Sequence, residues 1–456
     1  MSRPELIIIG AGPGGYRAAE YAAKKGMKVT LFEDGPVGGT CLNVGCIPTK
    51  CLARNAELLL DLKKAADFGI ENLSFGFNFQ TAMQRKEKVT GALRQGVETI
   101  LSHPAVSLVR AKAAFKDEHT VVADGQEYTS DNIIVATGSS SKRLYVSVEE
   151  GCEVLDSSDI LALDTLPRSL CIIGAGVIGM EFASIFNAFG VEVTVVEFLD
   201  ECLPVLDSDI AKRLRKTLEK RGVAFRLQSA VKSIGKEGVA FVNKRGKLDC
   251  VKAEKILMAV GRQPNVEGLN LTAIGVETYR GALPVDTLSL KVRNAEGKLL
   301  DGVYAVGDVN GLQMLAHAAE MQALHAVNQI LGEKDGIRLD IMPAAVFTTP
   351  EAACVGLSED QCKQHEADYG CQKVFWRANG KAMAMGETDG MLKLLYDKYS
   401  ERILGCHAFG AHAADIIQEA SALMACGATV SQLADMVHVH PTLSEILKSA
   451  AEIHVL

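Results

Sequence analysis

One arrangement of apolar and polar positions occurs twice along the chain. Residues 5–10 form a buried-strand pattern, followed by Gly10, Gly12 and Gly15 and then a helical stretch, YRAAEYAAKK. A second strand, MKVTLFE, ends in Glu33. Near residue 170 the order returns: SLCIIG, then Gly174, Gly176 and Gly179, the helical GMEFASIFNAFG, and VEVTVVE ending in Glu197. In each copy the first glycine precedes the closing glutamate by 23 residues, and the copies are offset by 164. Apolar strands joined through glycines to a helix predict a duplicated βαβ unit of the mononucleotide-binding kind. NIIVATGS (132–139) and EKILMAVGR (254–262) are later strand-to-glycine transitions that close the two units. DGVYAVGD leads into an Ala-rich helix over 315–331, and residues 50–100 read as helical and charge-mixed. Beyond these, AMAMGE, GMLKLLYD and RILGCHAFG read as strands, followed by helices over 412–426 and 443–450. The predicted class is α/β, with two Rossmann-like nucleotide-binding domains and a C-terminal α+β domain.

The glycines have separate duties. The first permits a tight turn, the second lets a pyrophosphate approach the backbone, and the third lets helix and strand pack closely. The phosphates then meet free N–H groups at the helix start, around Val177 and Ile178 in the second copy. Glu33 and Glu197 are placed to accept hydrogen bonds from ribose hydroxyls. An acid at Glu197 repels a 2′-phosphate, and no arginine follows in FLDECLP, so the second site reads as NAD rather than NADP.

Candidate redox chemistry lies in GGTCLNVGCIPTK, residues 38–50. Cys41 and Cys46 are five residues apart, and five residues of regular helix advance about 7.5 Å. A disulfide needs Cα atoms within roughly 7 Å. If the two thiols pair, the segment must leave regular helix, which suits Gly45, ahead of a helix that starts near Pro48. Two packed loop cysteines, or half of a zinc site, remain alternatives, although no second cysteine pair has metal-ligand spacing, so no metal is expected. Cys51 reads as structural. Cys171, Cys250, Cys354, Cys406 and Cys426, scattered among apolar residues, read as buried and inert. Lys50 could pair with Glu181. At the far end, VHVHPTLSE (437–445) offers His440 as a base for a thiol, with Glu445 to fix its tautomer. A His-Pro turn alone is equally compatible with a structural role, and His438 lacks the same placement.

Composition narrows the class. The 456 residues are 48% hydrophobic and 23% charged, which excludes a disordered chain and gives room for about three domains. The formal charge of -8 argues against broad capture of nucleic acid. No stretch approaches the roughly 20 apolar residues of a membrane helix. No signal-peptide flanks surround the first apolar run, so a cytoplasmic setting is expected.

Taken together, GAGPGGY (10–16), GGTCLNVGCIPTK, ATGS (136–139), GAGVIGMEFAS (174–184), YAVGDV (304–309), MLAHAAE (314–320), TTPEAACVG (348–356) and HVHPTLSE (438–445) resemble the flavoprotein disulfide reductases, the class I pyridine nucleotide-disulfide oxidoreductases. MLAHAAE, Glu197 and PTLSE resemble the dihydrolipoamide dehydrogenase branch. The resemblance implies FAD held by Gly10, Gly12, Gly15, Glu33, Gly39, Thr40, Lys50, Thr137, Gly138, Gly307, Asp308, Met314, Leu315, Ala316 and His317. It implies NAD held by Gly174, Gly176, Val177, Ile178, Gly179, Glu181, Glu197 and Gly261, with Lys50 and Glu181 supporting the flavin. Cys41 and Cys46 would form the redox disulfide, with Cys46 facing the flavin and Cys41 exchanging with substrate. His440, oriented by Glu445, would be the acid/base and would reach the cysteines of a second subunit in a homodimer. The expected domains are 1–145 and 270–340 for FAD, 146–269 for NAD and 341–456 for dimerisation. The expected partner is a lipoyl-bearing protein of a 2-oxoacid dehydrogenase or glycine cleavage complex. An NAD(P)H-linked reductase of another disulfide is the nearest alternative, and a flavin-bearing scaffold subunit a more distant one. The run SSSKRL after Gly138 departs from the family pattern and reads as a polar linker.

Overall fold

A computed structural model describes residues 5–455. The chain divides into two compact units: one of residues up to Cys51, Met83–Lys142 and Gly261–Leu339, the other of Leu52–Ala82, Arg143–Val260 and residues from Asp340 onward.

The first unit is built on a six-stranded sheet in the order Lys291–Arg293, Leu299–Ala305, Ile133–Val135, Leu6–Ile9, Val29–Phe32, Val106–Val109. All neighbours are parallel except the first pair. Alternation along the strand LIII explains why every residue of it is buried. Leu6 and Ile8 enter one core with Ala18, Ala22 and Val327. Ile7 and Ile9 enter the opposite core with Phe115, Val121 and Leu300. The helices Pro13–Lys24 and Ala316–Leu331 cover the first face. A three-stranded antiparallel sheet, Ala113–Asp117, Thr120–Ala123 and Gln126–Thr129, contributes to the second.

The second unit repeats the nucleotide-binding sheet with four parallel strands ordered Ala224–Arg226, Glu192–Val196, Ser169–Ile173, Lys255–Met258. The C-terminal part is a five-stranded antiparallel sheet ordered Ala344–Val346, Glu351–Gly356, Ile403–Gly410, Met391–Asp397, Tyr369–Phe375. Helices Ala413–Ala425 and Glu445–Val455 pack on it around Trp376, Leu394 and Ala408.

Four sequence expectations need correction. AMAMGE is a short helix, Gly380–Met385, because Asn379 caps it by accepting from Ala382 N at 3.0 Å. The second cysteine's helix starts at Cys46 rather than Pro48. SSSKRL is not a plain linker: Ser139–Ser141 pairs antiparallel with Arg262–Pro264. Cys250 and Cys426 are exposed, whereas Cys171, Cys354 and Cys406 are buried as expected.

A buried ionic cluster joins the C-terminal sheet to the NAD-type half of the same unit. Lys393 Nζ donates to both oxygens of Asp207, at 2.7 and 2.8 Å, and pairs with Glu359 at 2.6 Å. Burial opposes the Lys393 charge, but these carboxylates outweigh it and hold its pKa above the ordinary value. His407 Nδ1 accepts from Asp207 N at 3.2 Å, and its Nε2 is buried with no hydrogen-bond partner among the described residues. Burial pushes this imidazole down to about 4 from 6.5, with Asp207 acting in the opposite sense. The unfolded chain therefore binds this proton at higher pH than the folded chain does. Stability from this group is complete above about 6.5 and is lost as pH falls toward 4. Denaturant titrations should show a loss of about 3 kcal/mol from this residue across that window. His407→Gln should flatten the slope; an unchanged slope would exclude His407 as its source.

Candidate active site

The cysteine segment is built directly on the first glycine turn. Gly38 (φ 94°) donates its N–H to Ala11 O at 2.8 Å. Gly39 lies so close that an added Cβ would sit 2.7 Å from Gly12 Cα. The helix Gly39–Val44 carries Thr40 and Cys41, Gly45 breaks it at φ −139° and ψ −111°, and the helix Cys46–Lys63 follows. The two cysteines therefore sit on separate helices, as their spacing demanded. Cys41 and Cys46 are not joined as a disulfide, and the thiol of Cys41 is hydrogen-bonded to Cys46. That bond, then burial and negative charge at Cys46, drive the Cys41 pKa well above its usual range, while Lys50 pulls the other way. The proton thus stays on Cys41 when Cys46 is a thiolate.

The two glycine motifs have matching geometry, and it fits dinucleotides. Gly10 and Gly174 have φ of +103° and +102°, a conformation L side chains avoid. Side chains at Gly15 and Gly179 would collide with the carbonyls of Gly10 and Gly174. Gly176, by contrast, has nothing within 4 Å of an added Cβ, and Gly12 only Gly39 Cα at 3.8 Å. Both middle glycines are N-caps without a side-chain cap, so the first-turn N–H groups, including those of Val177 and Ile178, are left to a phosphate. Gly176→Ala should therefore keep the parent's melting temperature and raise KM for the pyridine nucleotide by tenfold or more, roughly 1.4 kcal/mol. Gly179→Ala should instead lower the melting temperature. Equal effects of the two changes would refute this division of duties.

Glu33 and Glu197 are also equivalent. Glu33 accepts from Ala11 N at 2.7 Å and Gly35 N at 2.8 Å. Glu197 accepts from Ala175 N at 2.5 Å and Leu199 N at 2.7 Å. Each acid thus pins its own glycine turn.

Of the remaining predicted flavin residues, Thr137 and Gly138 follow the strand Ile133–Val135, and Gly307 and Asp308 open a 3-10 turn after Leu299–Ala305. Met314 and Leu315 lead into the helix that starts at Ala316 and His317, again without a side-chain cap. Gly261 falls in this same unit, away from the other predicted NAD residues, which lie in the second. Glu181, buried on the second glycine helix, accepts from Phe347 N at 2.9 Å. Lys50 lies in the first unit and Glu181 in the second. In the second unit His440 Nδ1 lies 3.0 Å from Glu445 Oε1, while Glu445 Oε2 accepts from Thr442 N at 2.8 Å. The Thr442 N–H, followed by His440, holds the Glu445 carboxyl below its usual pKa. The His440 side chain is 78% exposed.

The description "Pyridine nucleotide-disulphide oxidoreductase" matches residues 4–323, and the dimerisation domain of the same name matches residues 342–451. The chain belongs to this family. It is 38% identical to a dihydrolipoyl dehydrogenase of Mycobacterium tuberculosis over 460 residues, covering 98% of this chain and 97% of that one. It is 35% identical to a leghemoglobin reductase of Glycine max, covering 98% and 87%. Among solved structures, the HOCl-induced flavoprotein disulfide reductase RclA from Escherichia coli matches with a TM-score of 0.86 at 29% identity, covering 98% of this chain and 99% of that one.

Within this oxidoreductase fold, two polar residues beside the flavin set escaped the sequence reading. Arg262 Nε donates to Ser139 Oγ at 2.7 Å and lies 3.8 Å from Asp308, to which Ser139 Oγ also donates. Asn265 accepts at its backbone oxygen from Thr137 Oγ1 at 2.6 Å and donates its amide to Thr137 O at 3.0 Å. Both follow Gly261 in GRQPN, one and four residues beyond it. Among the described residues no group of His, Cys, Asp and Glu could hold a metal, and no helix is long and apolar enough to cross a membrane.

Proposed function

We propose that this oxidoreductase oxidises protein-bound dihydrolipoyl groups to lipoyl groups with NAD as final acceptor. The observation that carries the proposal is the Cys41–Cys46 pair, in hydrogen-bond contact and built on the turn of the first glycine motif. The enzyme is a homodimeric flavoprotein with FAD and NAD as cofactors. FAD is held by the first glycine motif, Glu33, Gly39, Thr40, Lys50, Thr137, Gly138, Gly307, Asp308 and the Met314–His317 segment. NAD is held by the second glycine motif, Val177, Ile178, Glu181 and Glu197, with Gly261. The domain division is 1–145 with 270–340 for FAD, 146–269 for NAD and 341–456 for dimerisation, in a cytoplasmic protein.

In the proposed exchange a dihydrolipoyl thiol gives its proton to His440, whose other ring nitrogen Glu445 holds. The sulfur attacks Cys41 of the closed disulfide, forming a mixed disulfide and releasing Cys46 as the thiolate. The second lipoyl thiol then attacks the lipoyl sulfur of the mixed disulfide and displaces Cys41, which takes up that thiol's proton as it leaves, and the lipoyl S–S bond closes while His440 holds the first proton. Lys50, one helical turn beyond Cys46, supplies positive charge that favours the released thiolate. When bound, FAD and NAD supply the two-electron route that reoxidises the cysteine pair. His440 and Glu445 serve the cysteines of the partner subunit, so exchange needs the dimer. The lipoyl group belongs to a 2-oxoacid dehydrogenase or glycine cleavage assembly.

Anaerobic addition of dihydrolipoamide to the purified protein should produce long-wavelength thiolate–flavin absorbance, and NAD should then be reduced. Turnover with NADPH and glutathione disulfide, without response to dihydrolipoamide, would instead establish the reading as a reductase of another disulfide.

A further inference from the structure

Asn43 and Arg94 have no part in the exchange described above, yet both touch the segment that carries it. Asn43 lies two residues after Cys41 and three before Cys46. Its Nδ2 donates to Val37 O at 3.0 Å and Gly39 O at 2.9 Å, and lies 3.5 Å from Pro36 O. Its Oδ1 accepts from Arg94 Nε at 2.7 Å. Both ends of the side-chain amide are therefore engaged. Arg94 is on the 23-residue helix Phe79–Leu101, a long element compared with the one it steadies. The helix that carries Cys41 has only six residues and cannot persist by its own hydrogen bonds. Cys46 instead begins an 18-residue helix. Between them, Gly45 packs so closely that an added Cβ would lie 2.8 Å from Thr40 O. The Cys46 side of the pair is fixed by a long helix, and the Cys41 side by Asn43.

We infer that Arg94, acting through Asn43, holds Cys41 against Cys46 and thereby sets how readily the pair closes as a disulfide. Closure removes one proton from each thiol and transfers two electrons to an external disulfide. One S–S bond forms in the protein, the other is cleaved, and the two protons end on the two thiols produced. A held Cys41 starts closure with its entropy cost already met by folding, which favours the disulfide. Arg94 and Asn43 are positioning residues: neither is required to touch a substrate.

The inference rests on reading Cys41 and Cys46 as a dithiol/disulfide couple. It is tested on the flavin-loaded protein in glutathione/glutathione-disulfide buffers, with the closed fraction measured by thiol alkylation and mass spectrometry. Arg94→Met should shift the equilibrium about tenfold toward the dithiol, which is about 30 mV for a two-electron couple. Asn43→Ala should do the same, and the double variant should add nothing. NADH-driven reduction of a quinone, which bypasses the cysteines, should stay at the parent level in Arg94→Met. A closed fraction within twofold of the parent, or fully additive shifts, would overturn the clamp. Arg94→Leu, which likewise has no donor for Asn43 Oδ1, provides the same reading if Arg94→Met does not fold. A parent whose thiols never cross-link overturns the couple and the clamp together. A parent that cycles the pair but does not oxidise dihydrolipoamide overturns only the lipoyl substrate, and the variant comparison still decides the clamp.

Discussion

His440→Gln is expected to lower dihydrolipoamide-dependent NAD reduction by about 10²–10⁴-fold, the usual span for loss of a positioned acid/base. NADH-driven quinone reduction, which needs no thiol proton transfer, should be unchanged. The basis is an asymmetry in how the histidine is held. Glu445 uses one oxygen on His440 Nδ1 and the other on the Thr442 N–H, so the ring is aimed while most of its side chain remains exposed. The limb of the rate profile that reports this base should vanish in His440→Gln. Glu445→Gln keeps the shape but not the charge, so a smaller loss of roughly tenfold is expected, about 1.4 kcal/mol of barrier. Undiminished dithiol turnover by His440→Gln would end the acid/base assignment.

Lys393→Met should destabilise the fold by about 3–5 kcal/mol, because it leaves Asp207 as a buried charge without its cation. Asp207 is fully buried and Lys393 is 1% exposed, so water cannot replace the lost partner. Arg215, which pairs with Glu201 and Glu219 nearer the surface, provides the contrast. Its removal should cost less, about 1.5–3 kcal/mol for charged hydrogen bonds, because the Glu201 side chain left behind is 22% exposed and water reaches it. Guanidinium titrations of the two variants give the comparison directly. A loss below about 1 kcal/mol for Lys393→Met would mean that Asp207 is neutral or solvated in the fold. Lys393→Met combined with Asp207→Asn should recover part of the loss, since no uncompensated charge then remains.

The features legible in the sequence were those that a local rule makes obligatory. The strands LIII and SLCII declare themselves because both faces of a parallel strand are buried. The glycines declare themselves because their positions tolerate no side chain or need space for a phosphate. Features decided by distant partners were not legible. AMAMGE holds good helix formers but is too short to settle the matter by propensity, and Asn379, just outside the motif, decides in favour of helix. Ser139–Ser141 becomes a strand only because Arg262–Pro264 lies beside it. Lys393 sits in a run that alternates poorly, GMLKLLYD, and nothing local reveals that Asp207 lies opposite. In the candidate site, spacing allowed the contacts of Cys41 with Cys46 and of His440 with Glu445, while their roles came only from the resemblance. Arg94 was not legible, because its meaning depends on an amide 51 residues earlier.

Glu33 and Glu197 carry a consequence for attempts to exchange one dinucleotide for another. Redesign of such a site commonly treats the acid at the end of the second strand as a selectivity tag that can be swapped for a neutral or basic residue. Here the tag is also a fastener. Removing the Glu197 carboxylate strands the N–H groups of Ala175 and Leu199, and the loss falls on the turn that every dinucleotide must use. A lineage moving from NAD toward NADP would first have to supply those two amides with another acceptor, so the change of preference takes an ordered pair of steps.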